Sequence, residues 1–167
     1  MRSIGILISI FLAGCMAGTP TPVESAPPEQ RTMAAKPAGQ SLPITAEVTI
    51  GQRTIGLEVA ATPLEQQIGL MARTSLADDR GMLFPFKPAR GVNFWMKNTL
   101  IPLDIIYLHQ GVVEEIHNAS PCKSDPCPTY PSQTTIDQVI ELAAGQAEAL
   151  GLKVGDRLVV KPRPINK

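Results

Sequence analysis

The chain places a lysine, an asparagine, a threonine and an aspartate inside a dominantly apolar run. The run is Phe94-Trp95-Met96-Lys97-Asn98-Thr99-Leu100-Ile101-Pro102-Leu103-Asp104-Ile105, and it holds the only tryptophan. At a strand period of two, Phe94 and Met96 share one face and Trp95 and Lys97 the other. Asn98-Thr99 reads as a bend, and Pro102 argues against a central-strand position there. Beyond it, Leu103, Ile105 and Tyr107 alternate with Asp104, Ile106 and Leu108, so Asp104 shares a face with two apolar residues. A carboxylate among apolar neighbours is costly to bury unless something pairs with it. Lys97, Asn98 and Thr99 are the nearest partners in sequence. Two readings follow. Lys97 and Asp104 could hold a polar ligand while Trp95 offers a face for stacking, as in sugar or peptide recognition. Alternatively, Asp104 caps or pairs locally to fix the bend and Trp95 belongs to the core. The candidate ligand-binding residues are Trp95, Lys97, Asn98, Thr99 and Asp104; no residue is assigned a catalytic role.

Other groupings are weaker. Met71, Met82 and Met96 with His109 and His117 are soft ligand types suited to Cu(I). Met71 follows a helix's apolar spacing and Met82 sits in an apolar strand, so both read as gap-filling core residues. The two histidines fall near opposite ends of an expected hairpin, too far apart to share an ion. Ser120, Ser124, His117 and Asp125 supply the types of a nucleophilic triad, but a loop is a poor place to preorganise one and no Gly-x-Ser-x-Gly elbow is present. Glu114 and Glu115 are adjacent and point to opposite faces of a strand. No metal or other cofactor is expected.

The elements that position these residues are short. Sixteen prolines and thirteen glycines in 167 residues imply many turns, and zero net charge gives no electrostatic case for nucleic acid. Ala46, Val48 and Ile50, then Ile55, Leu57 and Val59, alternate with polar residues or glycine across Gly51-Gln52-Arg53, predicting a hairpin of two one-sided strands. Thr62-Pro63-x-Glu65 predicts a capped helix start, with Leu64, Ile68 and Met71 facing the sheet. Strands are expected at Met82–Phe86, Asp104–His109, Val112–His117, Ile136–Leu142 and Arg157–Lys161, and a short helix at Ala144–Leu150. Residues 118–135 read as a long loop.

Before the domain, Arg2 and the apolar Ile4–Leu12 read as an export signal, far too short to span a bilayer. Leu12-Ala13-Gly14-Cys15 resembles the lipobox of bacterial lipoproteins. That resemblance implies lipidation of Cys15 and cleavage before it, leaving residues 1–14 as signal peptide. Residues 15–43 are proline-rich and poor in bulky apolar side chains, and read as a disordered tether. The folded domain is expected over 44–162, with a tail at 163–167. The expected location is the cell envelope, with the membrane met through the lipid anchor only. In an oxidising compartment Cys122 and Cys127 read as a small-loop disulfide; a metal pair or redox dithiol fits the spacing less well.

From Val59 to Asp156 the chain resembles the family known as domain of unknown function 192. The matching words are Thr62-Pro63-x-Glu65, Gly69-Leu70-Met71, Gly81-Met82-Leu83-Phe84, the Phe94–Asp104 run, Pro121-Cys122, Pro126-Cys127-Pro128-x-Tyr130 and Leu150–Asp156. The resemblance implies a compact, mainly β domain, commonly exported or lipid-anchored, and no particular activity. The pattern of elements itself predicts a mainly β single domain, a sandwich or partly closed barrel of about eight short strands with two short helices. The expected function is non-catalytic binding of a small molecule, glycan or protein through Trp95–Asp104. The alternatives are a hydrolytic envelope enzyme using Lys97 and Asp104, and an accessory factor docking on a partner through a flat patch at Phe84, Phe86 and Trp95.

Overall fold

The computed structural model describes residues 39–164. Cys15, the expected signal peptide, most of the expected tether and residues 165–167 lie outside the described residues. The alternating segments form the hairpin β1 (Ile44–Ile50) and β2 (Arg53–Val59), paired antiparallel. α1 (Pro63–Ile68) follows, opened by a complete capping box between Thr62 and Glu65. β3 (Arg80–Arg90) leads into the short β4 (Asn93–Trp95). Then come β5 (Leu103–His109), β6 (Val112–Ala119), β7 (Thr129–Pro131) and β8 (Ile136–Ala143). α2 (Gln146–Ala149) and β9 (Val160–Pro162) complete the fold.

Seven strands make one mixed sheet in the order β6-β5-β8-β3-β2-β1-β9, and β4 and β7 make a separate ribbon. Among the described strands only β2 and β3 pair in parallel, with α1 between them as the crossover. The sheet curls until the chain ahead of β9 meets the start of β6, where Val112 and Arg157 form an isolated bridge and the Leu158 amide donates to Gly111 O at 2.7 Å. The ladder does not close, so the architecture is a curled, partly closed β fold with two small helices. The expected mainly β class holds, with nine strands among the described residues rather than eight.

Alternation on this sheet makes two apolar layers. Inside the curl lie Val48, Ile50, Ile55, Leu57, Leu83, Ile106, Leu108, Ile140 and Leu142. On the outer face of β3, β8 and β5 lie Met82, Phe84, Phe86, Leu103, Ile105, Tyr107 and Val139, covered by Leu70, Met96 and the β4–β7 ribbon. Gly81 shows how tightly the layers are drawn. A Cβ there would stand 2.7 Å from Leu142 Cδ2 and 2.8 Å from Glu141 O, so no larger residue fits between β2 and β8.

Several expectations need correction. β2 is not one-sided: Glu58 is buried too, bonded to Arg73 and to the Leu42 amide. The cause is its central position, with β1 and β3 beside it and the 40–42 and 73 segments across its outer face. Chain expected to be tether is therefore packed on the domain, since Gln40 also donates to Glu65 O and Gly69 O. α1 does not bury an apolar face. Leu64 is 64% exposed and none of its residues is buried, because six residues are too few to cover the sheet. Part of the expected loop at 118–135 is strand β7, which the β4 edge recruits: Phe94 pairs with Tyr130.

Candidate functional site

Because α1 stands off, a groove of about 430 Å³ lies between it and the β3–β4 turn. Phe84, Phe86, Phe94 and Trp95 line it, with Gln66 on the helix side and Arg90 as its charged member. The wall is aromatic by construction. Phe84 and Phe86 alternate outward along β3, and Phe94 crosses them edge-to-face at 5.2 and 6.4 Å. Gln66 Nε2 donates to Pro85 O at 2.8 Å and sets the helix-to-strand distance. The ladder between β3 and β8 lapses between Pro85 and Arg90, which frees that end of β3 to form the rim. The Arg90 guanidinium lies 4.9 Å over the Phe86 ring.

A smaller hole of about 30 Å³ shares Gln66, Phe84, Phe94 and Trp95 with the groove, and Glu141 lines it. Glu141 sits on β8 between Met82 of β3 and Ile105 of β5, so its side chain emerges on the covered outer face. It is 5% exposed, and no group among the described residues donates to its Oε2. Burial pushes this carboxyl up to about 8. Two loops roof the hole, contributing Met71 and Thr99. They are joined where the Ala72 amide donates to Asn98 O at 2.9 Å, and both residues take positive φ. Gly69, at φ +48° and ψ −130°, ends α1 in a conformation that side chains disfavour, and its open side faces Phe84.

The structure divides the Trp95–Asp104 run. Trp95 is about half exposed at the junction of groove and hole, rather than in the core, and Thr99 is buried over the hole. Asn98 makes the bend, at φ +58°. Lys97 turns away to Asp125 at 3.1 Å, with its ammonium 5.8 Å from the Trp95 ring centroid. Asp104 points to the other face. It pairs across β8 with Leu142 of the inner layer, accepts from Asn118 Nδ2 at 2.9 Å, and accepts from the Ala147 amide at the start of α2 at 2.9 Å. Lys97 and Asp104 are therefore not a constellation, and the hydrolytic reading loses the pair it was built on. The patch at Phe84, Phe86 and Trp95 is not flat either, since both phenylalanines are buried.

Cys122 and Cys127 are joined by a disulfide, so their sulfurs are not thiolate ligands for a metal beside Asp125. His109 sits next to the β5–β6 turn and His117 lies opposite Ile105, well along the hairpin. His117 Nε2 bonds Glu115 Oε2 at 2.9 Å, and Glu115 in turn accepts from the Gln133 amide. Tyr107, pushed up by burial, donates to Tyr130 O at 2.6 Å. These polar groups tie β6, β5 and the ribbon together. Glu141 is the residue that sequence reasoning missed. The signal was available: an acid inside Val139-Ile140-Glu141-Leu142, the same pattern that drew attention to Asp104.

Solved structures that resemble this one include the following two. A putative transcription regulator from Sinorhizobium meliloti 1021 is 36% identical with a TM-score of 0.63, covering 72% of this chain and 98% of its own. A protein of unknown function from Novosphingobium aromaticivorans DSM 12444 is also 36% identical with a TM-score of 0.63, covering 86% of this chain and 99% of its own. No curated protein matches. The model of the DUF192 family, described as an uncharacterized ACR, matches residues 46–160, which takes in every strand that frames the groove; the chain belongs to that family.

Proposed function

We propose that the protein is a lipid-anchored binding domain of the cell envelope that takes a small, largely apolar ligand in the aromatic groove without turning it over. The groove itself carries the reading: about 430 Å³ falls within the range of ligand pockets, and aromatic rings share its lining with Gln66, Gln67, Asn93 and Arg90. None of the described lining residues is a serine, cysteine or histidine, which favours binding over nucleophilic chemistry. Of the residues singled out from the sequence, Trp95 lines the groove and Thr99 the adjoining small hole, while Lys97, Asn98 and Asp104 have structural roles. Anchoring rests on the Leu12–Cys15 lipobox after its apolar run. Docking of a partner protein is a second reading, favoured by exposed Trp95 in the groove and exposed Leu64 on α1.

The groove is tested with the full-length chain and 1-anilinonaphthalene-8-sulfonate, an aromatic anion suited to an aromatic wall beside Arg90. Saturable binding that weakens several-fold in both Trp95→Ala and Arg90→Ala is expected. Binding indifferent to both changes would reject the groove. The anchor is tested by Cys15→Ala, which should move the protein out of the membrane fraction. Retention in the pellet after a carbonate wash would reject lipidation.

A further inference from the structure

Glu141 is a buried acceptor without a donor among the described residues, and it lines a hole that shares Phe84, Phe94 and Trp95 with the solvent-open groove. Buried carboxylates in folded proteins are almost always hydrogen-bonded, so a group left this way calls for an explanation. Among the described residues no lysine or arginine lines the hole, and the cations of the flanking segments have other partners. Arg73 bonds Glu58, Lys97 bonds Asp125 and Arg90 lies over Phe86. The rings of Phe84, Phe94 and Trp95 line the same hole, and aromatic rings attract a cation where water is excluded. Volume narrows the choice further. About 30 Å³ admits a group the size of one water molecule, so a primary ammonium fits where a trimethylammonium does not.

We infer that Glu141, with the rings of Phe84, Phe94 and Trp95, forms a receptor for the primary ammonium of a ligand whose apolar stem lies in the groove. The inference rests on the groove reading above and adds its ligand class: an alkyl or aralkyl amine, free or as an extended lysyl side chain. The proton balance is simple. Near neutral pH the carboxyl holds its proton because burial pushes it up to about 8. An entering ammonium donates its own N–H to Oε2, and the carboxyl proton passes to solvent. The hole stays neutral and about one proton is released per ligand at pH 7.

Neighbouring groups do not compete for this role. Among the described residues lining the hole, Glu141 alone titrates. On the same face, Tyr107 of β5 is committed to Tyr130, while Glu115 and His117 of β6 bond each other. Glu65 of α1 is taken by its capping box, and Asp104 lies on the opposite face.

The test titrates the full-length protein with n-butylammonium, n-butanol and tetramethylammonium by calorimetry at pH 7, in two buffers of different ionisation enthalpy. Butylammonium should bind at least about tenfold more tightly than butanol, with about one proton released. Glu141→Gln, which keeps the shape, should remove that preference and the proton release with it. The wild-type proton release keeps the test informative even if the variant folds poorly. Equal binding of butanol and butylammonium overturns the ammonium receptor and leaves the groove standing, as does equal binding of tetramethylammonium. If neither butyl probe binds while anilinonaphthalenesulfonate does, the receptor alone fails. If that probe fails as well, both readings fall.

Discussion

Two carboxylates lie within one register step of each other on neighbouring strands, and the fold treats them oppositely. Asp104 of β5 pairs with Leu142, and Glu141 of β8 pairs with Ile105. Both are at least 95% buried. Asp104 points into the curl and accepts from a side-chain amide and a helix amide. Glu141 points to the outer face, where its Oε2 has no donor among the described residues. A buried carboxylate with two donors holds a helix start against a sheet. One without them lowers stability at neutral pH and marks a candidate functional site. The same residue class in the same sequence pattern thus marks an internal clamp on one face and a candidate site on the other.

The comparison is sharpest when the same charge-removing swap is made at both positions. Folded Glu141 keeps its proton to about pH 8, whereas an unfolded glutamate loses it near 4.5. Between those values the native state binds more protons, so wild-type stability falls as pH rises and levels off above about 8. Glu141→Gln removes that slope. It should be close to neutral at pH 4 and stabilise by roughly 3 kcal/mol at pH 7 and about 4 at pH 8. Urea unfolding across this range measures it. A variant less stable than wild type at pH 8 would mean that Glu141 has a partner after all.

Asp104→Asn should act in the opposite direction. The amide oxygen can keep the Ala147 N–H, but Asn118 must flip to accept from the new NH₂, and both bonds lose the charge assistance of a carboxylate. A loss of about 2–3 kcal/mol at pH 7 is expected, read from the urea midpoint. A neutral effect would place Asp104 with Glu141 rather than against it.

How much of this was legible depends on the range of each interaction. β1, β2, the capping box, the β5–β6 hairpin and the disulfide follow from patterns of a few residues, and they could be read directly. The 118–135 segment could not, because β7 exists only where the β4 edge pairs with it. Leu64 misled for a related reason. Helical spacing marked an apolar face, but a six-residue helix held by Gln66 and Leu70 need not bury it. Trp95, Thr99 and the aromatic run were visible as unusual chemistry. Their convergence on Glu141 was not, since β8 meets β5 and β3 only through long-range pairing. Local charge patterning offered Lys97 as Asp104's partner. It could not show that Pro102 and the bend leave the two on opposite faces.

That separation gives the smallest effect and the cleanest control. Among the described residues Lys97 pairs with Asp125, and both side chains are substantially exposed, at 40% and 70%. An exposed ion pair of this kind contributes at most about 1 kcal/mol, so Lys97→Met should change stability by no more than that. If Lys97 and Asp104 shared a site, removing one would alter the cost of removing the other. Here Asp104 spends its acceptors on Asn118 and Ala147, beneath the inner layer, while Lys97 belongs to the segment covering the outer one. The double variant Lys97→Met, Asp104→Asn should therefore equal the sum of the single changes within about 0.5 kcal/mol in a urea double-mutant cycle. Coupling above about 1 kcal/mol would rejoin the two halves of the run, and with it restore Asp104 as a candidate for the site that the fold assigns to Glu141.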